Sequence, residues 1–160
     1  GALLEEVDAL ELPAEVQATL LRHGAAGTTA DPADVAAEQV FNQRHVCRVV
    51  PMPPEVQRTF DCIADDPTVY HTMNGPNEFY VVGTMKDWTI VDRLPAINVP
   101  TLLISGFYDE ATPATVQPYM DKIQDVRWIK FPHSSHMPHV EEKAACIKAT
   151  ADFLDAVDAR

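Results

Sequence analysis

Thr101-Leu102-Leu103-Ile104-Ser105-Gly106-Phe107-Tyr108-Asp109-Glu110-Ala111-Thr112-Pro113 passes from an apolar run into a turn and then a helix start. Residues 99–104 read as a strand buried on both faces of a parallel sheet. Thr112 can cap a helix, and Pro113 suits its first turn. Val116, Tyr119, Met120 and Ile123 would line one face of that helix. Val126 to Phe131 is a second strand, followed by Pro132-His133-Ser134-Ser135-His136-Met137-Pro138-His139. A last helix carries Val140, Ala144, Ile147, Ala151 and Leu154 at helical spacing. From Pro95 onward the order is therefore β-α-β-α. Two strands alone would leave long open edges, which is a physical reason to expect more sheet than these residues supply.

The residues before Pro95 have a different grain. Leu3, Val7 and Leu10 mark one helical stripe. Pro13 opens a second helix with Val16, Leu20 and Leu21, closing near Gly24 and Gly27. Asp31-Pro32 starts a third, over about residues 33–48, until Pro51, Pro53 and Pro54 interrupt. A fourth covers about 54–65. Asn74-Gly75-Pro76-Asn77 is turn chemistry, and 78–83 fits a short strand or a helix start equally. Trp88, Ile90, Val91 and Leu94 form a small amphipathic segment that docks on a core. The domains expected are 1–90, helical, and 91–160, α/β.

The chain has 160 residues, 46% of them apolar, enough for a real core. Its net charge of −12 disfavours nucleic acid, because phosphate backbones would be repelled. No apolar run reaches the roughly 20 residues that cross a bilayer, so no membrane partner is expected. Cys47, Cys62 and Cys146 are too few and too scattered for a disulfide framework. They read as small buried residues of a reduced, cytoplasmic protein. Gly1-Ala2-Leu3-Leu4-Glu5-Glu6 lacks a basic segment followed by an apolar one, so no signal peptide is expected.

In open α/β sheets, functional groups gather at the carboxyl ends of strands. Asp109 sits just past the first strand, and His136, 27 residues later, just past the second. An acid after one strand and a late His after the next is the order that closes an α/β-hydrolase. Each alone reads as blandly: Asp109 as a turn residue, His136 as an exposed loop His. Their order and placement together favour catalysis. The third member, a Ser in Gly-x-Ser-x-Gly, should come earlier, yet the only serines are Ser105, Ser134 and Ser135, none in that setting. His133, His136 and His139 are spaced by three, but Pro132 and Pro138 break a helix that could present them together. No acid or Cys lies in that loop, so neither metal nor cofactor is expected. Glu110 would reach the same rim as Asp109, where a carboxylate can bind a substrate ammonium, although Glu78 or Glu110 taken alone reads first as a solvated surface acid.

Five segments then carry a family resemblance: Pro76-Asn77-Glu78-Phe79, Gly83-Thr84-Met85-Lys86-Asp87-Trp88, Leu94-Pro95-Ala96-Ile97, Gly106 through Pro113, and Ser135-His136. Together they resemble the carboxyl-terminal half of the prolyl iminopeptidases, with the tricorn-interacting aminopeptidases and amino-acid amidases. The likeness is strong from about Tyr70 to His136 and weaker before. It implies a helical cap over residues 1–90, followed by the C-terminal part of an α/β-hydrolase core. It implies that Asp109 is the triad acid and His136 the triad base. It implies that Glu78 and Glu110 bind a free substrate amine, with Tyr70 lining the pocket. The family's His-Gly-Gly oxyanion segment and serine elbow have no counterpart here.

The resemblance therefore implies a serine aminopeptidase that releases an N-terminal residue, proline-type or small and hydrophobic, from small peptides or amino-acid amides. Its Ser and oxyanion donors would come from an N-terminal half, in the same protein or as a partner chain. The 160 residues alone are expected to be inactive, since without those N–H donors the developing oxyanion is unsupported. Two other readings remain: a non-catalytic binding domain derived from a hydrolase, and an esterase or amidase on the same scaffold.

Overall fold

The computed structural model describes residues 12–77 and 81–160. They fall into two compact units, each taken by itself. The first spans residues up to 43 and 49–88; the second is Arg44–Arg48 with Thr89–Arg160. A five-residue stretch of the helical region thus belongs to the α/β unit. The stripe expected at Leu3, Val7 and Leu10 lies outside the described residues, as does Glu78.

The first unit is helical. Ala14–Ala26 follows Pro13 and ends at Gly27, whose φ of 68° lets its N–H reach back to the Gly24 carbonyl at 3.1 Å. Pro32–Phe41 begins at Asp31, whose side chain accepts the Ala33 N–H at 2.8 Å. The helix then widens into a π-helical turn, Asn42–Val46. Pro54–Asp65 and Thr68–Met73 follow, each preceded by a proline. Cys62 is exposed, contrary to expectation, because Pro54–Asp65 buries little beyond Val56. Trp88, expected to dock, is 61% exposed.

In the second unit, a 3-10 turn, Val91–Ala96, buries Leu94 completely. β1, Thr101–Gly106, pairs in parallel with β2, Val126–Phe131, in the register Thr101↔Val126 to Gly106↔Phe131. Pro113–Lys122 connects them. Its N-terminal Thr112 makes no capping bond; the hydroxyl instead pairs with Thr115 Oγ1 at 3.2 Å. β1 is not buried on both faces: Leu102 and Leu103 are half-buried and Ile104 is exposed, as a two-stranded sheet cannot cover both sides.

The last helical region breaks at Glu142 into Pro138–Glu141 and Lys143–Asp158. Its packed face is also not the one the periodicity suggests. Ile147 and Leu154 are exposed, whereas Cys146 is buried and Ala149, Thr150, Phe153 and Val157 are half-buried. That helix carries two apolar stripes, so spacing alone could not choose between them. Among the described residues, no helix is long and apolar enough to cross a membrane.

Candidate active site

The end of β1 turns sharply around Asp109. Its Oδ2 accepts the Gly106 N–H at 3.1 Å, and its Oδ1 accepts the Ala111 N–H at 2.9 Å. The carboxylate is thereby fixed by its own turn before any partner arrives. That partner is His136: its Nδ1 lies 2.8 Å from Asp109 Oδ1. An ionised carboxylate only accepts, so Nδ1 carries the proton and Nε2 is the basic nitrogen of the neutral ring. Asp109 is buried while the His136 side chain is 48% exposed, an arrangement that shields the carboxylate and presents the imidazole. Glu110 Oε1 lies 3.7 Å from His136 Nε2, beyond hydrogen-bond distance and an ion pair only when the ring is protonated. Asp109, His136 and Glu110 are thus brought together.

Tyr70 belongs to the helical unit, where its hydroxyl accepts from Asn74 Nδ2 at 3.1 Å. Glu78 lies outside the described residues.

The three serines are each committed elsewhere. Ser105 Oγ accepts the Trp128 indole N–H at 2.9 Å. Ser134 Oγ donates to Glu142 Oε2 at 2.7 Å, and Ser135 Oγ donates to Glu141 Oε1 at 2.8 Å. All three are buried. None has the exposed setting of a nucleophile beside a base. Among the described residues, no group of three or more His, Cys, Asp or Glu could hold a metal ion, the three loop histidines included.

Sequence reasoning missed one contributor altogether. His45, in the π-helical turn, sits between the two loops of the site. Its carbonyl oxygen accepts the Glu110 N–H at 3.3 Å and the His136 N–H at 3.1 Å. Its ring Nδ1 donates to the Tyr108 carbonyl at 2.9 Å. One residue therefore ties the acid turn to the base loop. Next to it, the Arg48 guanidinium stacks 3.8 Å over the Tyr108 ring. A backbone carbonyl has no signature in the sequence, and nothing local marks His45 as special.

Beside this Asp109–His136 pair, at the carboxyl ends of adjacent parallel strands, stand the chain's similarities to known proteins. A proline iminopeptidase of Saccharolobus solfataricus is 38% identical over 147 residues, covering 92% of this chain and 47% of that protein. One from Thermoplasma volcanium is 33% identical over 145 residues, covering 91% of this chain and 49% of the other. The chain resembles the proline iminopeptidase family. No family model matches it. The crystal structure of a Mycobacterium smegmatis proline iminopeptidase superposes with a TM-score of 0.88 at 48% identity, and that of VinJ with 0.92 at 48% identity. Each superposition covers 98% of this chain and 53% of the other. The fold is thus that of part of an α/β-hydrolase. The chain spans about half the length of the proline iminopeptidases it matches, consistent with their carboxyl-terminal half.

Proposed function

We propose that this chain supplies the acid and the base of a serine aminopeptidase. The full-length protein would release an N-terminal residue from small peptides or amino-acid amides. The observation that carries the reading is the 2.8 Å contact between His136 Nδ1 and the buried Asp109 Oδ1, with Glu110 beside Nε2. Asp109 holds the imidazole in the tautomer whose Nε2 carries the basic lone pair. Nε2 then takes the proton of an attacking serine hydroxyl and returns it to the leaving amine. Glu110 offers a carboxylate at the same rim, suited to a substrate ammonium through a charge-assisted hydrogen bond. Glu78 and Tyr70 enter this reading through the family resemblance alone. The 160 residues contain no Gly-x-Ser-x-Gly, so serine and oxyanion donors must come from sequence beyond them, and the isolated chain is inactive in this reading.

Glu110→Gln in the full-length protein is the test. A charged hydrogen bond is worth about 1.5–3 kcal/mol, which corresponds to roughly a 10- to 100-fold loss in kcat/KM on proline p-nitroanilide. On p-nitrophenyl acetate, which has no amine, the loss should stay within about twofold. Equal losses on both substrates remove the amine-binding role and favour an esterase. Hydrolysis of neither by the unmutated protein removes the enzyme reading.

A further inference from the structure

The loop that carries His136 is held by two consecutive carboxylates, and they hold different parts of it. Glu141 Oε2 accepts the backbone N–H of Ser135 at 2.8 Å and of Met137 at 3.3 Å. Its Oε1 accepts the Ser135 hydroxyl at 2.8 Å and the Arg48 backbone N–H at 2.7 Å. Four donors thus fill the roughly four lone-pair directions of one carboxylate. The residues before and after His136 both hang from it. The N–H of His136 itself goes to the His45 carbonyl at 3.1 Å, and Arg48, three residues after His45, is on the same carboxylate. Backbone N–H groups 135, 136 and 137 are therefore all tied to acceptors outside the loop. Glu142 does something else: its Oε2 accepts the His133 N–H at 3.0 Å and the Ser134 hydroxyl at 2.7 Å, nearer to β2.

The His136 ring is half exposed, so packing around the ring does little to fix it. The bond to Asp109 orients the ring, and the backbone on either side sets where the ring starts from. We propose that Glu141 is a positioning residue for His136. It holds the peptide groups on either side of that residue, and through Arg48 N–H it locks them to the segment whose His45 carbonyl spans both loops. The inference rests on the reading of Asp109 and His136 as acid and base. Without Glu141, the two N–H groups on either side of His136 lose the acceptor they share, and Nε2 no longer points where the serine must be. A displacement of about 1 Å at a reacting group costs on the order of 100-fold in rate.

The test uses the full-length protein with isotope-labelled histidine. Glu141→Gln puts an amide NH2 against at least one backbone N–H whichever way the group is turned. It should lower kcat on proline p-nitroanilide by about tenfold or more, with KM within about twofold, because the interaction acts on the base and not on substrate binding. The His136 Nδ1–H proton resonance should move upfield as the bond to Asp109 lengthens. Glu142→Gln is the control, destabilising the same loop while leaving both readouts in place. Glu141→Asp keeps the charge but is one methylene too short to reach both N–H groups; it should show the same pattern more weakly and serves if the Gln variant does not fold. Unchanged kcat and resonance in Glu141→Gln, or the same response in Glu142→Gln, overturns the proposal. The resonance needs no turnover, so a protein inactive on the anilide would sink the aminopeptidase reading while this test still decides the role of Glu141.

Discussion

Gly106 closes β1, and the loop carrying His136 passes directly over its Cα. A Cβ built there falls closer than 3.0 Å to the carbonyl groups of Ser134 and Ser135, a separation real Cβ atoms do not show. Both obstacles are backbone, so no side chain can swing aside. To restore ordinary van der Waals separation, the strand and the loop must part by about 1 Å. Such overpacking costs about 1–3 kcal/mol. For a protein of the length of its relatives, about twice this chain, that lowers the melting temperature by about 2–5 °C. The displaced atoms belong to the residues just before His136, so the 2.8 Å bond to Asp109 should lengthen as well. Gly106 N–H also donates to Asp109 Oδ2, so the strain reaches both members of the pair. In the full-length protein, Gly106→Ala should lose on the order of 100-fold in kcat as well as the stability. Melting by circular dichroism and steady-state kinetics on the same preparation check both. A variant that melts within a degree of the parent and keeps its kcat would refute the close-approach argument.

Two further outcomes follow from buried polar groups. Asp34 is completely buried, and among the described residues its carboxylate has no hydrogen-bond partner. Burial pushes its pKa up, with His23 opposing and Asp31 adding to the rise. A carboxyl raised in the folded state binds its proton more tightly there than when unfolded. Its contribution is therefore most favourable below the unfolded value near 3.8 and is lost as pH rises through the folded one. Asp34→Asn should remove that decline and be more stable than the parent at neutral pH in urea melts; a parent-like pH profile counts against it. The three serines, each buried and hydrogen-bonded, should give no adduct when the 160-residue chain is treated with a fluorophosphonate and weighed by mass spectrometry. Labelling of Ser134 or Ser135 would mean the loop opens enough to free a hydroxyl beside His136.

Much of the local structure was legible before any coordinates. Prolines mark the starts of Pro54–Asp65 and Pro113–Lys122, and β2 runs from Val126 to Phe131 as its apolar run indicates. These boundaries follow from backbone chemistry: proline lacks an N–H and suits a first turn. The order of acid and base was legible for a related reason. Parallel strands joined by a helix put the residues after each strand on the same rim, so Asp109 and His136 were predictable neighbours without a distance. Among the readings that failed, those of the last helix and of Cys62 did so where local pattern had no unique answer. The last helix offers two apolar stripes, and Cys62 could as well face out as in.

The sequence by itself determined which residue types stand after which strand, and hence that a carboxylate and an imidazole meet. Only the tertiary structure decided how they are held. The bonds from His45 to Tyr108, Glu110 and His136, and from Arg48 to Glu141, join positions separated by 63 to 93 residues. Most use backbone N–H and carbonyl groups, which every residue carries and which no side-chain pattern distinguishes. Glu141 and Glu142 look alike in the chain; their different tasks arise because the chain turns at Glu142, aiming one carboxylate at both sides of His136 and the other toward the end of β2.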